Sequence, residues 1–582
     1  MSVLDPPRVY FRGQMTWDPI VTNNYAQFYD LATAKPSLAG STVAEYRERA
    51  RQSVTRGNWN VHGTHRSTFF ETAVCGVDRG RGLDTGDPLV GVPMSFTGML
   101  VDLDPYGATT SQLFFDRLGC GIDGGCQIVA PRGGPMVARR INFARNTTYR
   151  VIAGVASVVW QASFPRAAGL AVHPRGSPVL AAMLDRLLRD RDVLGLTVRV
   201  NAYRTVYFGT PSPTPQDAAA LARQIADGGF HPNPARSMVV GVIGLWRRGE
   251  PPAVPGDRVL ARAPGSQVGT AFARLGRNRL SLDLANSVPE TGFDLTKLDL
   301  GPLTVAAGDV VVGTIPPEAY ATPAYEATAG IVDLPLDAAT ARAARTGDLQ
   351  VRTADGTVLL AEQPLTVVAD PPDVYLEEGE SAPVTLRAFE RGRVPRRRVS
   401  VTMVEVGSPL PPRVVEAGRG GVATVPLTGG QGGSWTWMLV PWRDEQPPLP
   451  QRLVPELTEY LALRTTPADD DIAALAPTWD NVHRSVLRDF EALAPCMDNW
   501  LHLGDEQQCR AYAPLIRSLT SRERFDDYRY MPVTRELTRG QRTLLHRWCD
   551  AVTSAVPEGE AEAVATAAAE APQPRDPFGR GF

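Results

Sequence analysis

Short apolar runs bounded by glycine and proline decide what this chain can fold into. MVARRINF (136–143), TYRVIAGVASVVWQASF (148–164), LGLTVRVNAYRTVYF (194–208) and SMVVGVIGLW (237–246) are rich in Val, Ile and aromatic residues, the residues that pack best on a pleated surface. The pattern continues through SLDLANSV (281–288), LTVAAGDVVVGTI (303–315), GIVDLPL (330–336) and DLQVRTADGTVLLA (348–361), where Asp355-Gly356 predicts a hairpin turn. Between 370 and 445, PVTLRAF, RVSVTMVEV, GVATVPL and SWTWMLVPW alternate regularly, as in a small β-sandwich of immunoglobulin-like architecture. Two helices interrupt the strands. Ser177 caps Pro178–Arg189, with Leu180, Leu184, Leu187 and Leu188 on one face, and Thr214-Pro215 opens a second helix through Asp217 to Ala226.

After Pro447-Pro448-Leu449-Pro450 the period becomes helical, in Trp479–Leu493, Tyr512–Leu519 and Gln541–Val552. The predicted fold is mainly β with α: several β-sheet or β-sandwich domains followed by a small C-terminal helical domain. The expected boundaries are 1–252 (β-rich, two helices), 253–368 (second β domain), 369–446 (sandwich), 447–467 (linker), 468–556 (helical domain) and 557–582, a Glu/Ala/Pro-rich tail expected to be disordered. A chain of 582 residues has room for about three to five domains.

A net charge of -3 gives no basic field for nucleic acid or an anionic membrane. The start, MSVLDPPRVYFRGQ, lacks the charge-then-apolar pattern of a secretory signal, and no apolar run approaches the ~20 residues of a spanning helix. Six cysteines are too few and scattered for a disulfide framework. A cytoplasmic location is expected, with no membrane or nucleic-acid partner. No Gly-x-Gly-x-x-Gly, Walker, His-Glu-x-x-His or Gly-x-Ser-x-Gly motif occurs, which argues against the common nucleotide, zinc-protease and serine-hydrolase classes.

Four local features carry chemistry, each with two readings. His62 and His65 in WNVHGTHRSTFF suit a metal or haem iron, or are ordinary loop histidines. Cys120 and Cys126 in GCGIDGGC are near enough to meet, or are two free thiols. Asp102 and Asp104 in DLDP bind a cation or share a proton, or cap a turn. In YRYMPVTREL (528–537), Pro532 and Thr534 mark a break and a new helix start. Its Tyr, Arg and Glu suit an organic acid, or form a buried structural ion pair.

Read in order, MSVLDPPRVYFRG (1–13), VDLDP (101–105), DVLGLTV (192–198), VGVIGLWRRGE (240–250), GIVDLPL (330–336), VYLE (374–377) and YMPVTREL (530–537) resemble one family. It is the indole-3-pyruvate imine dimer synthases of bisindole biosynthesis, which include the iminophenylpyruvate dimer synthase of the violacein pathway and the chromopyrrolate synthases. The resemblance implies a haem-dependent oxidoreductase of natural-product biosynthesis that couples imines derived from an aromatic amino acid. It implies haem b, with His65 or His173 as the iron ligand and Cys509 as a lower-ranked alternative. It implies catalytic roles for Arg535, as holder of a substrate carboxylate, and for Tyr530. Expected partners are a small-molecule substrate, an amino-acid oxidase or a ferritin-like protein, and a second copy in a homodimer. Family members continue into a ferritin-like C-terminal region that these 582 residues are expected to lack, which leaves a second reading: a non-catalytic or split-synthase subunit that binds a separate ferritin-like or oxidase partner.

Overall fold

A computed structural model describes residues 3–17, 28–52, 65–107, 109–121, 124–130, 134–142, 157–208, 233–291 and 296–554. Strand makes up 42% of the chain and helix 21%, so the fold is mainly β with a small helical region at the C-terminal side, as the sequence predicts. The expected helix at 217–226 and the tail at 557–582 lie outside the described residues.

The first unit is built on strands β1 (Arg8–Trp17), β4 (Arg66–Asp78), β5 (Met94–Asp102), β6 (Ser111–Gly121), β7 (Gln127–Ala130), β8 (Met136–Asn142), β9 (Ser157–Pro165), β10 (Ala171–His173), β11 (Val193–Phe208) and β12 (Asn233–Arg247); β2 (Tyr29–Asp30) and β3 (Lys35–Pro36) form a separate short ribbon. The sheet runs β10-β7-β6-β5-β4-β1-β12-β11-β9-β8, and β8 also pairs with β6. That extra pairing closes eight strands into a barrel, and β7 and β10 hang from the far half of β6. Closure rests on Gln112↔Val137 and Leu113↔Met136. The interior is filled by side chains, as expected for eight strands: Phe11, Phe96, Phe115, Trp160 and Ile243 are all buried. Gly241 in VGVIG is required by packing, because a Cβ there would lie 2.1 Å from the Phe11 ring.

The helix Pro178–Arg189 forms where predicted, with Ser177 accepting from the Leu180 amide at 3.3 Å. It buries Val179, Leu180, Met183 and Leu187 against the barrel core. Leu188, expected on the same face, is 72% exposed, because the buried stripe is centred toward Met183.

The second unit is an eight-stranded antiparallel sheet between Arg258 and Gln363 with its own core. Asp355-Gly356 turns between strands Leu349–Arg352 and Val358–Gln363 as expected, with Gly356 at φ 88°. The sandwich packs three strands (Leu365–Asp370, Ser381–Glu390, Val422–Thr428) on five (Asp373–Glu377, Glu459–Thr466, Gly433–Trp442, Val399–Glu405, Arg413–Ala417). This corrects the 447–467 linker: Glu459–Thr466 is an interior strand of the five-stranded sheet. Every residue of it is buried, so it lacks the alternation that marks a half-exposed strand.

In the helical region, Trp479–Val482, His483–Leu487 and Arg488–Leu493 run on from one another through a π turn, and Ala513–Leu519 and Arg539–Ser554 follow. No helix starts at Thr534. Thr538 is the cap instead, exchanging hydrogen bonds with Gln541 at 3.2 and 3.3 Å in a capping-box arrangement. Among the described residues no helix is long and apolar enough to cross a membrane.

Buried ion pairs tie the units together. Arg199 on β11 reaches Asp257 at 2.6 Å and Asp283 at 3.1 Å, and Arg139 on β8 reaches Asp373 of the sandwich at 2.9 Å.

Candidate functional site

Three of the predicted residues come together at one end of the barrel. His65 directly precedes β4, and its carbonyl accepts from the Leu100 amide on β5 at 2.7 Å. Its Nδ1 lies 2.8 Å from the Leu100 carbonyl oxygen. A carbonyl only accepts, so Nδ1 carries the proton and Nε2 keeps its lone pair. Burial pushes the imidazole down to about 4; the Leu100 hydrogen bond opposes this and the charge of Arg535 adds to it. The ring is therefore neutral at physiological pH.

Arg535 is 2% exposed and sits at φ 60° in the turn after Tyr530. Its guanidinium lies 3.4 Å from the centroid of Phe114 on β6 and 5.6 Å from that of Tyr530. One nitrogen donates to the Asp527 carbonyl at 2.9 Å, another to that of Val533, and Nε has no hydrogen-bond partner among the described residues. Burial lowers it to about 10. Two of its donors are thus taken by backbone carbonyls. This geometry favours a fixed, buried positive charge stacked on an aromatic ring over the direct carboxylate clamp expected from sequence. Tyr530 is buried against Phe525 at 5.3 Å, Phe525 meets Tyr375 of the sandwich at 5.0 Å, and Tyr375 donates to Gln112 on β6 at 2.8 Å. Barrel, sandwich and helical region all contribute to this cluster. Beside it, Arg464 of the sandwich donates to the Tyr29 hydroxyl at 2.5 Å and to the Leu103 carbonyl at 3.2 Å. Glu536 also reaches Tyr29, so its carboxylate serves a buried structural network.

His173 and Cys509 lie elsewhere. His173 ends β10, is exposed, and pairs with Gln127, which stands opposite Gly121 on β6. Leu100, the partner of His65, stands opposite Leu113. From Leu113 to Gly121 a strand runs about 27 Å, so one iron does not take both histidines. Cys509 is buried in the helical core, donating to the Leu503 carbonyl at 3.6 Å, and burial pushes its thiol up to about 12. It is a protonated packing residue here. His62 lies outside the described residues.

The other sequence features resolve as structure. Asp102 accepts from Ser111, and Asp104 accepts from the Tyr106 amide at 3.0 Å, so both cap the β5–β6 turn. Cys120 and Cys126 are free and buried. Sequence reasoning missed Phe114 and the Leu100 carbonyl. Phe114 sits in an unremarkable strand, and a carbonyl acceptor leaves no trace in residue identity. Tyr375 falls in VYLE, one of the segments carrying the family resemblance.

The donor chemistry of His65 is compatible with metal ligation: its Nδ1 proton is held by a backbone carbonyl, its ring is neutral, and among the described residues no hydrogen bond engages Nε2.

No family model matches the chain. It is 26% identical to 2-imino-3-(indol-3-yl)propanoate dimerase of Chromobacterium violaceum over 92% of its own length, which bears out the resemblance drawn from the sequence and fits an N-terminal part of that family. The chain spans 56% of that relative's length. Among solved structures it aligns with native E. coli alpha-2-macroglobulin (9% identity, TM-score 0.14, 81% of this chain and 27% of that one). It also aligns with Salmonella alpha-2-macroglobulin reacted with methylamine (11%, 0.16, 80% and 31%). Neither likeness informs the fold.

Proposed function

Taking the resemblance to the indole-3-pyruvate imine dimer synthases as premise, we propose that this chain is an oxidoreductase of natural-product biosynthesis that couples two imines, or related amines, derived from an aromatic amino acid. The observation that carries the reading is the similarity to an indolyl-imine dimerase along nearly the whole chain. The cluster at the barrel end adds a chemical reason: a neutral imidazole whose Nε2 has no hydrogen-bond partner among the described residues stands near a fixed cation and aromatic rings.

Haem b, implied by the resemblance, would be held by Nε2 of His65, and would supply a redox-active iron for oxidative coupling. The Leu100 carbonyl fixes the tautomer of His65. Arg535 acts as a positioning residue: it holds the Asp527–Val533 turn through two carbonyls, and its charge adds to burial, the larger cause, in disfavouring the protonated imidazole. Tyr530 and Phe114 frame that charge.

The test is purification with ample haem, followed by an absorption spectrum and incubation with L-tryptophan, an amino-acid oxidase and peroxide. We expect a Soret band and a coupled dimer by mass spectrometry. His65→Ala should lose the Soret band while keeping its far-UV circular dichroism. A chain that stays colourless sinks the haem assignment, and a coloured chain that forms no dimer sinks the coupling.

The same resemblance carries a second reading, that the chain is a subunit that binds a separate ferritin-like or oxidase partner. Dimer formation only after that partner is added would select it.

A further inference from the structure

A cleft of about 650 Å³ opens between the outer barrel wall and the second unit. It is lined by Arg12 and Gln14 of β1, Glu71 and Cys75 of β4, Met238 of β12, and Glu326 of the helix Thr322–Ala327. Its size is that of ordinary small-molecule pockets, and it lies where such pockets concentrate, between domains. A bulge shapes it. The register of β1 against β4 shifts between Arg12↔Ala73 and Gln14↔Phe70, so Glu71 and Thr72 both face Gly13. A Cβ on Gly13 would come within 2.4 Å of Thr72 Cα. Glu71 adopts φ 47°, the left-handed region, which is uncommon for a residue with a side chain.

The charges do not balance. Arg12 pairs with Glu326 at 2.5 Å, and the other Glu326 oxygen accepts from the Tyr203 hydroxyl at 3.1 Å. Glu71 is exposed, and among the described residues no hydrogen bond or ion pair holds its carboxylate. One cation and two carboxylates leave a net charge of -1 among the lining residues, which also include the apolar Ala73, Val90 and Met238. A cation with an apolar body satisfies both surfaces.

We propose that this cleft binds an organic ammonium ion carrying a small aromatic or aliphatic body, with Glu71 as its counter-ion. The site is independent of the reading above, because Glu71 is about 20 Å along β4 from His65.

Isothermal titration of the full chain tests this, using 2-phenylethylammonium and, as an anion of similar shape, 3-phenylpropionate. Saturable binding of the ammonium ion alone is expected. Glu71→Gln should weaken it about tenfold or more, the loss of one charge-assisted hydrogen bond, and Met238→Trp should abolish it by filling the cleft. Glu71→Gly relieves the left-handed backbone, so it should raise the melting temperature while lowering affinity, which separates binding from folding. Absence of saturation at millimolar ammonium, equal binding of the anion, or an affinity unchanged in both Glu71 variants would each overturn the proposal.

Discussion

At the scale of residues, burial decides which side chains carry chemistry and which carry structure. His65, Arg535 and Tyr530 lie near one another in the fold, yet composition could not say that Arg535 satisfies two carbonyls or that Phe114 lies under it. Those contacts join segments hundreds of positions apart, and no local pattern encodes them. Burial acts likewise on Asp489, whose carboxyl is pushed up from 3.8 to about 7, with Lys35 and Arg488 opposing; its Oδ2 accepts from Gln541 at 3.1 Å. Between about pH 4 and pH 7 the folded chain therefore binds a proton that the unfolded chain does not. Its contribution to stability is present below pH 4, is lost as pH rises through 7, and leaves a full penalty above that. At 1.36 kcal/mol per unit, discounted for a side chain that is only partly buried, the penalty is about 2 kcal/mol. Asp489→Asn should thus stabilise the protein at pH 8 and change little at pH 4, measured by urea unfolding. Equal effects at both pH values would contradict the assignment.

At the scale of elements, the signals that succeeded are those that are local. Ser177 followed by Pro178 and an apolar stripe names a helix start, and Asp355-Gly356 names a turn, because both depend on backbone geometry within a few residues. The strand Glu459–Thr466 was hidden for the opposite reason. Buried on both faces, it has no period of two to read, and it follows a proline-rich stretch that resembles a linker. Thr534 has the residue type of a cap, yet Thr538, four residues on, caps the helix through Gln541. The helix Pro178–Arg189 offers a test at this scale: Ser177→Ala removes the acceptor for the Leu180 amide and should cost about 1 kcal/mol. Leu188→Glu, at an exposed position, should change stability by less than about 0.5 kcal/mol. Both are measurable by chemical denaturation.

At the scale of the whole molecule, the units are joined by buried charge as well as apolar surface. Arg199 is enclosed between Asp257 and Asp283, and burial raises the Asp283 carboxyl against the pull of that arginine. Arg199→Met would strand both carboxylates in the interface, at about 3–5 kcal/mol; the expected result is a lowered unfolding midpoint with earlier proteolysis near 250–257, and an unchanged midpoint would show that the pair is not a clamp. The barrel holds a different consequence. β1 and β12 are paired from Val9↔Ile243 to Trp17↔Ala235, whereas β6 and β8 meet through two residue pairs. Hydrogen–deuterium exchange should find the Val137 and Leu113 amides opening well before those of β1 and β12. A barrel joined so unevenly behaves as a band with one clasp rather than as a rigid tube. Phe114 is next to that clasp, and Arg535 rests on Phe114. Loosening of that clasp would shift a charge that adds to burial in lowering the proton affinity of His65, which ties the seam of the scaffold to the chemistry of one imidazole.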